Sequence, residues 1–318
     1  MSMMMSWTPT LSRDRLADPL AVAGRALDAR DYSSALAALT PLLAQDTITP
    51  ATRWMAGRYF GLRRDYAEAA VQFSRAVEGD PRLSQVEFDI AGRVVRLADV
   101  HGSKWAANVL EEFARGTYNL ASLTLAPGDT VLDIGAHIGG VSIILAALHP
   151  DVRIIAYEPA SANYASLLRN LAANGITNVT PVQQAVMAEH GEMTITWSAE
   201  ATAGSTVGLS REARAARERN GWSSETVQCV TLDEVFETHG IERCAWLKLD
   251  CEGAEWGIMR TTGTLSRIGR VAMELHIPAA RQAEGVNACV QDFAALLRRD
   301  PHAPDVVISS TVWMADLQ

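Results

Sequence analysis

The hydrophobic pattern changes period along the chain. Val86, Phe88 and Ile90 alternate with polar neighbours, Ala91-Gly92 follows, and Arg93-Val94-Val95-Arg96-Leu97 returns, which predicts a β-hairpin. Residues 101–115 carry apolar positions at helical spacing. Pro127-Gly128-Asp129 reads as a turn, and past it short apolar runs alternate with helical stretches. The runs predict strands at Thr130–Ile134, Arg153–Tyr157, 178–183, 193–197, 226–230, 245–249 and 270–275. Helices are predicted at Gly140–Leu148, at Ser161–Ala173 with Asn174-Gly175 as its stop, and at 285–298. Residues 306–310 and 311–314 read as a terminal β-pair. Strands alternating with helices predict an α/β fold whose sheet is largely parallel and covered on both faces.

Upstream the pattern is helical and repeats. The stretch from Asp31 to Leu39 aligns with that from Asp65 to Phe73 at an offset of 34 residues, the tetratricopeptide period. The second unit resembles that repeat family at Gly57, Phe60, Ala69, Phe73, Ala76 and Pro81. The first fits at Ala23, Ala35 and Leu39 but lacks the closing proline. Two units are fewer than usually stand alone. The segment is therefore expected either to cap the next domain or to offer a surface to a protein partner or a second copy. The expected division is a helical domain over 1–81, a connector over 82–124 and an α/β domain over 125–318.

Composition narrows the class. Of 318 residues, 48% are hydrophobic and 20% charged, which is the make-up of a folded globular chain. The net charge of −9 disfavours a nucleic-acid binder. Apolar runs fall short of a membrane span of about 18 residues, and the first residues do not form a secretory signal. Cys229, Cys244, Cys251 and Cys289 form no CxxC pair, so neither a zinc site nor a disulfide framework is expected. These features predict a soluble cytoplasmic protein.

Four motifs carry chemistry. In Val131-Leu132-Asp133-Ile134-Gly135-Ala136-His137-Ile138-Gly139-Gly140, a buried strand ends in an acid and a glycine turn opens a helix. Glycine lets backbone approach a ligand, and a helix start offers free N–H groups. The spacing is not GxGxxG, which weakens a dinucleotide reading. In Tyr157-Glu158-Pro159, Glu158 lies 25 residues after Asp133 at the next strand end, where an acid can accept ribose hydroxyls. Lys248-Leu249-Asp250-Cys251-Glu252-Gly253-Ala254-Glu255 crowds acids at a strand end, with Lys248 able to pair with Asp250 or Glu255. In Met273-Glu274-Leu275-His276, Glu274 and His276 share a strand face, and His276 could serve as a base or a fixed donor.

Together with Asn170, Asn174, Ala185-Val186 and Thr231-Leu232-Asp233, these motifs resemble, in order over residues 131–276, the FkbM family of S-adenosylmethionine-dependent methyltransferases. The resemblance implies a Rossmann-like, seven-stranded class I methyltransferase sheet with a reversed last strand pair. It implies that the loop from Asp133 through Gly135, Ala136 and His137 to Gly139 holds the methionine end of the cofactor. Glu158, followed by Pro159, would hold the ribose, and Gln184 and Ala185 would flank the adenine. Asp250 would face the methionine amino group or the acceptor, and Tyr118 would close over the pocket.

Methyl transfer needs the sulfonium donor and a nucleophile held in line, and such positioning is worth ~7–11 kcal/mol. A hydroxyl acceptor also needs a base, worth ~10²–10⁴-fold, for which His276, Asp250 and His137 are candidates; a carboxylate acceptor needs none. Asp250, Glu274 and His276 could hold Mg²⁺ or Mn²⁺, which the family pattern does not require. The segment 201–224, with Arg211, Arg214, Arg217, Arg219 and Trp222, reads as a lid or acceptor-specificity element, while Trp105, Trp197, Trp246 and Trp256 read as packing residues. The expected acceptor is a small molecule. The competing readings are a nicotinamide-dependent oxidoreductase and a non-catalytic interaction protein.

Overall fold

The computed structural model describes residues 18–197, 206–207, 211–298 and 305–313. The chain opens with helices α1 (Pro19–Asp28), α2 (Tyr32–Leu43), α3 (Pro50–Leu62) and α4 (Tyr66–Gly79). Asp31 and Asp65, 34 residues apart, cap α2 and α4 in the same way, each carboxylate accepting the N–H three residues on. Gly57 is small because the Phe73 ring lies against it; an added Cβ would sit 2.7 Å from that ring.

The predicted hairpin forms as β1 (Gln85–Ile90) and β2 (Arg93–Ala98), turned by Ala91 and Gly92, both at positive φ. Helix α3 packs on it so closely that a Cβ on Gly61 would lie 2.7 Å from the Glu87 carbonyl, and the Trp54 Nε1 donates to the Gln85 carbonyl. Helix α5 (Trp105–Arg115) follows and ends at Gly116 in the left-handed region.

The remaining elements are β3 (Thr130–Ile134), α6 (Gly140–Leu148), β4 (Arg153–Tyr157), α7 (Ser161–Ala173), β5 (Val179–Val182), β6 (Ala185–Met187), β7 (Gly191–Trp197) and β8 (Thr206–Val207). Then come α8 (Arg211–Arg219), β9 (Ser223–Thr231), α9 (Leu232–Thr238), β10 (Trp246–Leu249), α10 (Glu255–Thr261), β11 (Arg270–Ile277), α11 (Val286–Leu297) and β12 (Asp305–Trp313). The main sheet runs β12-β11-β10-β3-β4-β5, every neighbouring pair parallel. A second sheet, β6-β9-β7-β8, collects the strands predicted at 193–197 and 226–230.

Three expectations need correction. Among the described residues the main sheet has six strands rather than seven. Residues 305–313 form one strand rather than a β-pair, and that strand joins β11 parallel rather than reversed. The physical reason is α11: a helical crossover returns the chain to the same end of the sheet, so the next strand must run parallel. No helix among the described residues is long and apolar enough to cross a membrane.

Asn170 of α7 and Asn174 at its C-cap join the halves of the molecule. Asn174 exchanges hydrogen bonds with the N–H and carbonyl of Arg96, and Asn170 with those of Ala98, so their amides imitate a partner strand for β2. Asn170 Nδ2 also donates to the Ile138 carbonyl in the glycine turn at 2.9 Å. Asn170→Ala leaves these groups buried without partners, and is expected to lower unfolding free energy in urea by about 2–3 kcal/mol. A variant as stable as the wild type would show that the two halves are held otherwise.

Candidate functional site

The carboxyl ends of β3, β4, β10 and β11 open on a cavity of about 270 Å³ that α5 and Tyr118 also line. Ligands bind at this edge of open α/β sheets. Of the sequence-derived candidates, Tyr118, Gly135, Ala136, His137, Glu158, Pro159, Gln184, Ala185, Asp250 and Glu274 line it.

Its floor is the glycine turn. The N–H groups of Gly135 and Ala136 both donate to the Tyr157 carbonyl at 2.9 Å, which pulls the turn against β4. Gly135 sits at φ 80, and a Cβ there would lie 1.8 Å from the Asp250 carbonyl. Asp133 and Gly139 do not line the cavity. Asp133 is fully buried, takes a hydrogen bond from Ser142 at 2.6 Å and braces the turn from beneath. Gly139 admits Leu167, whose methyl would meet its Cβ at 2.5 Å.

Lys248 ties these parts together. It is buried, its Nζ donates to the Gly135 carbonyl at 2.7 Å, and Asp250 and Asp133 lie 3.4 and 3.5 Å away. Burial disfavours its charge, but the two carboxylates hold it protonated, with its pKa well above the ordinary lysine value. The pairing is thus with Asp250 and Asp133, not Glu255. Tyr118 donates its hydroxyl to Asp250 Oδ2 at 3.1 Å, and its ring lies 5.6 Å from the Lys248 ammonium.

Glu158 stands at the tip of β4. One carboxylate oxygen accepts the His137 N–H at 2.8 Å, and the other accepts the Ala160 N–H at 3.0 Å and the Asn163 amide at 3.3 Å. Burial pushes its pKa up to about 7 against these donors. His137 takes φ 52 and turns its ring edge-on to Trp105, with centroids 5.8 Å apart. Burial lowers its pKa to about 4, so the ring is neutral at pH 7.

His276 lies elsewhere. It is buried off the cavity, with Nδ1 3.0 Å from Glu255 and Nε2 3.4 Å from Glu252. Burial works against its charge, but the two carboxylates outweigh it and push its pKa up to about 11. Outside the cavity lining and held between Glu252 and Glu255, His276 stands here as an ion-pair partner. Glu255 also accepts the N–H groups of Cys251 and Gly253, so this cluster fixes the loop after Asp250, in which Glu252 has φ 53.

Of the expected metal ligands Asp250, Glu274 and His276, two come together, with a different third. The side chains that bring ligand atoms within 4.8 Å of one another are Asp250, Glu252 and His276, without Glu274. An ion bound there would have to displace the proton that Glu252 and Glu255 hold on His276.

Sequence reasoning passed over the contribution of α5. Trp105, Val109 and Glu112 all line the cavity, whereas Trp105 reads in sequence as a packing residue. Their i, i+4, i+7 spacing puts them on one helical face, which is the signal that could have found them. Trp246 and Trp256 do pack: the first is 1% exposed, the second meets the Phe293 ring edge-on. Arg217 stacks its guanidinium 4.3 Å from the Trp222 ring centroid, while residues 198–205 and 208–210 and the side chains of Arg211 and Arg214 lie outside the described part.

Residues 133–298, more than half the chain, match the methyltransferase FkbM domain. The chain belongs to the FkbM methyltransferase family, and is an S-adenosylmethionine-dependent methyltransferase. It is 28% identical over 213 residues to the 31-O-demethyl-FK506 methyltransferase FkbM of Streptomyces tacrolimicus, covering 59% of this chain and 78% of that one. It is 30% identical over 172 residues to the methyltransferase sdnD of Sordaria araneosa, covering 47% and 66%. Among solved structures it is similar to M. jannaschii TYW2 in complex with AdoMet, at 25% identity over 31% of this chain and 42% of that one, with a TM-score of 0.25.

Proposed function

We propose that this enzyme methylates a hydroxyl group of a small organic acceptor, with the donor bound in the cavity described above. The observation that carries the reading is the charge of that cavity. Five carboxylates line it (Glu112, Glu158, Asp250, Glu252 and Glu274) against one ammonium, Lys248. Such a lining suits a cationic donor and opposes the diphosphate of a nicotinamide dinucleotide. It also opposes a carboxylate acceptor. The name of the Streptomyces relative, an O-demethyl substrate's methyltransferase, points the same way.

Bound S-adenosylmethionine supplies a methyl group activated by a positive sulfur. In this reading Glu158 accepts the two ribose hydroxyls, and Gln184 and Ala185 border the adenine. The turn from Gly135 to His137 wraps the methionine end, with Asp133 bracing it through Ser142. Asp250, oriented by Tyr118 and Lys248, accepts from the amino group. Of the three candidate bases, Asp250 and His137 line the cavity, and we read them as its proton acceptors. We read α1–α4 as two tetratricopeptide-like units serving as a cap, supported by their packing on β1. We place the protein in the cytoplasm, where its free cysteines would remain reduced.

Calorimetry tests the reading. One equivalent of S-adenosylmethionine is expected to bind per chain, and reduced nicotinamide dinucleotide not at all. Incubation with hydroxyl-bearing natural products should release S-adenosylhomocysteine and yield methyl ethers by mass spectrometry. Methyl esters or methylated amines in their place would refute the hydroxyl assignment.

A further inference from the structure

Two groups of lining residues stand apart in their contacts. Gln184 and Ala185 follow β5, which pairs with β4 below Glu158, whereas Tyr118, Asp250, Glu274 and Glu112 bear on one another. If adenine and ribose take the first, the sulfur falls toward the second. Glu112 comes from α5, upstream of the matched family domain, so the family motifs assign it nothing.

We propose that Glu112 is a specificity residue that reads the positive charge of the sulfonium and so distinguishes the methyl donor from its neutral product. The proposal rests on the donor assignment made above. Its geometric basis is the α5 face: Trp105, Val109 and Glu112 line the cavity with the glycine turn, and Gly140 is small because Val109 would meet its Cβ at 2.6 Å. Among the described residues the Glu112 side chain makes no hydrogen bond or ion pair of its own, and Lys248 acts on it only at longer range. The charged and titratable groups that bear on it are Asp250 and Lys248 at the end of β10, Glu274 on β11, Tyr118, and Glu111 on its own helix. Burial first, then Asp250, push its pKa up to about 7 against the pull of Lys248, which does not offset them. A sulfonium would supply a further cation, whereas S-adenosylhomocysteine, which keeps the amino acid and nucleoside but not the charge, would not.

The test compares the two ligands by calorimetry on the full chain, at a pH of about 8.5, where a carboxyl titrating near 7 is ionised. Glu112→Gln keeps the shape and removes a poorly solvated charge, so the variant should melt no lower than the wild type. It is expected to weaken S-adenosylmethionine about tenfold while leaving S-adenosylhomocysteine within about twofold. Equal weakening of both ligands, as a merely structural role would give, overturns the proposal. So does unchanged affinity for S-adenosylmethionine. A wild-type protein that binds neither ligand overturns the donor assignment itself, and this proposal with it.

Discussion

Replacing Gly135 by alanine is expected to abolish donor binding and to lower stability by more than ~3 kcal/mol. Two independent effects add. The backbone at φ 80 is open to glycine, and a side chain there carries a strain of ~1–2 kcal/mol. The second effect is overlap: the new methyl would lie 1.8 Å from the Asp250 carbonyl. That carbonyl sits where β10, already paired to β3, leads into the acidic loop. Relief requires the turn and the Asp250 loop to part, which also draws the Gly135 carbonyl from Lys248 and leaves a buried ammonium short of an acceptor. Gly128 supplies the control. It has φ 85 but nothing within 4 Å of its Cβ position, so Gly128→Ala should show the strain alone. Urea unfolding of both variants, with calorimetry for S-adenosylmethionine, separates the contributions. A Gly135→Ala protein that binds the donor normally would show that the turn is not its cradle.

Much of the scaffold is legible in the sequence because its signals are local. The runs Thr130–Ile134 and Arg153–Tyr157 form strands at those bounds, being short, apolar and flanked by turns. Ala91-Gly92 turns its hairpin with both residues at positive φ, a strain that Ala91 bears and Gly92 does not. The outcome at 305–313 was not legible, because strand direction depends on where the preceding crossover delivers the chain. The site divides similarly. Glu158 and the glycine turn follow from sequence adjacency to strand ends. The fate of His276 does not, since an imidazole's charge depends on neighbours such as Glu252 and Glu255 brought in by a different segment. Glu112 was hidden for the same reason. Its helix lies far upstream, and only the fold turns that face toward β10 and β11.

Glu158→Gln is expected to weaken donor binding about 10–100-fold while removing part of the unliganded protein's loss of stability between pH 5 and pH 8. The first half follows from hydrogen-bond inventory. The carboxylate already accepts from His137, Ala160 and Asn163, and its remaining lone pairs are what two ribose hydroxyls would use; an amide offers one acceptor oxygen where the carboxylate offers two. The second half follows from linkage. Burial raises the carboxyl from 4.5 in the unfolded chain to about 7 in the fold, a difference worth ~3 kcal/mol. Between those values the unfolded state has released its proton and the native state has not. This group's contribution to stability is therefore complete below about 4.5, falls as pH rises to about 7, and is flat beyond. Glutamine has no such proton to lose. Urea unfolding of both proteins at pH 5 and pH 8 isolates the effect, because Glu112 and every other titrating group is common to the two. The wild type should lose more stability across that interval than the variant. Equal losses would mean that Glu158 is not held at a cost in the empty fold. A larger loss in the wild type, together with weaker donor binding by the variant, would identify a carboxylate kept in an unfavourable place because the ribose requires it there.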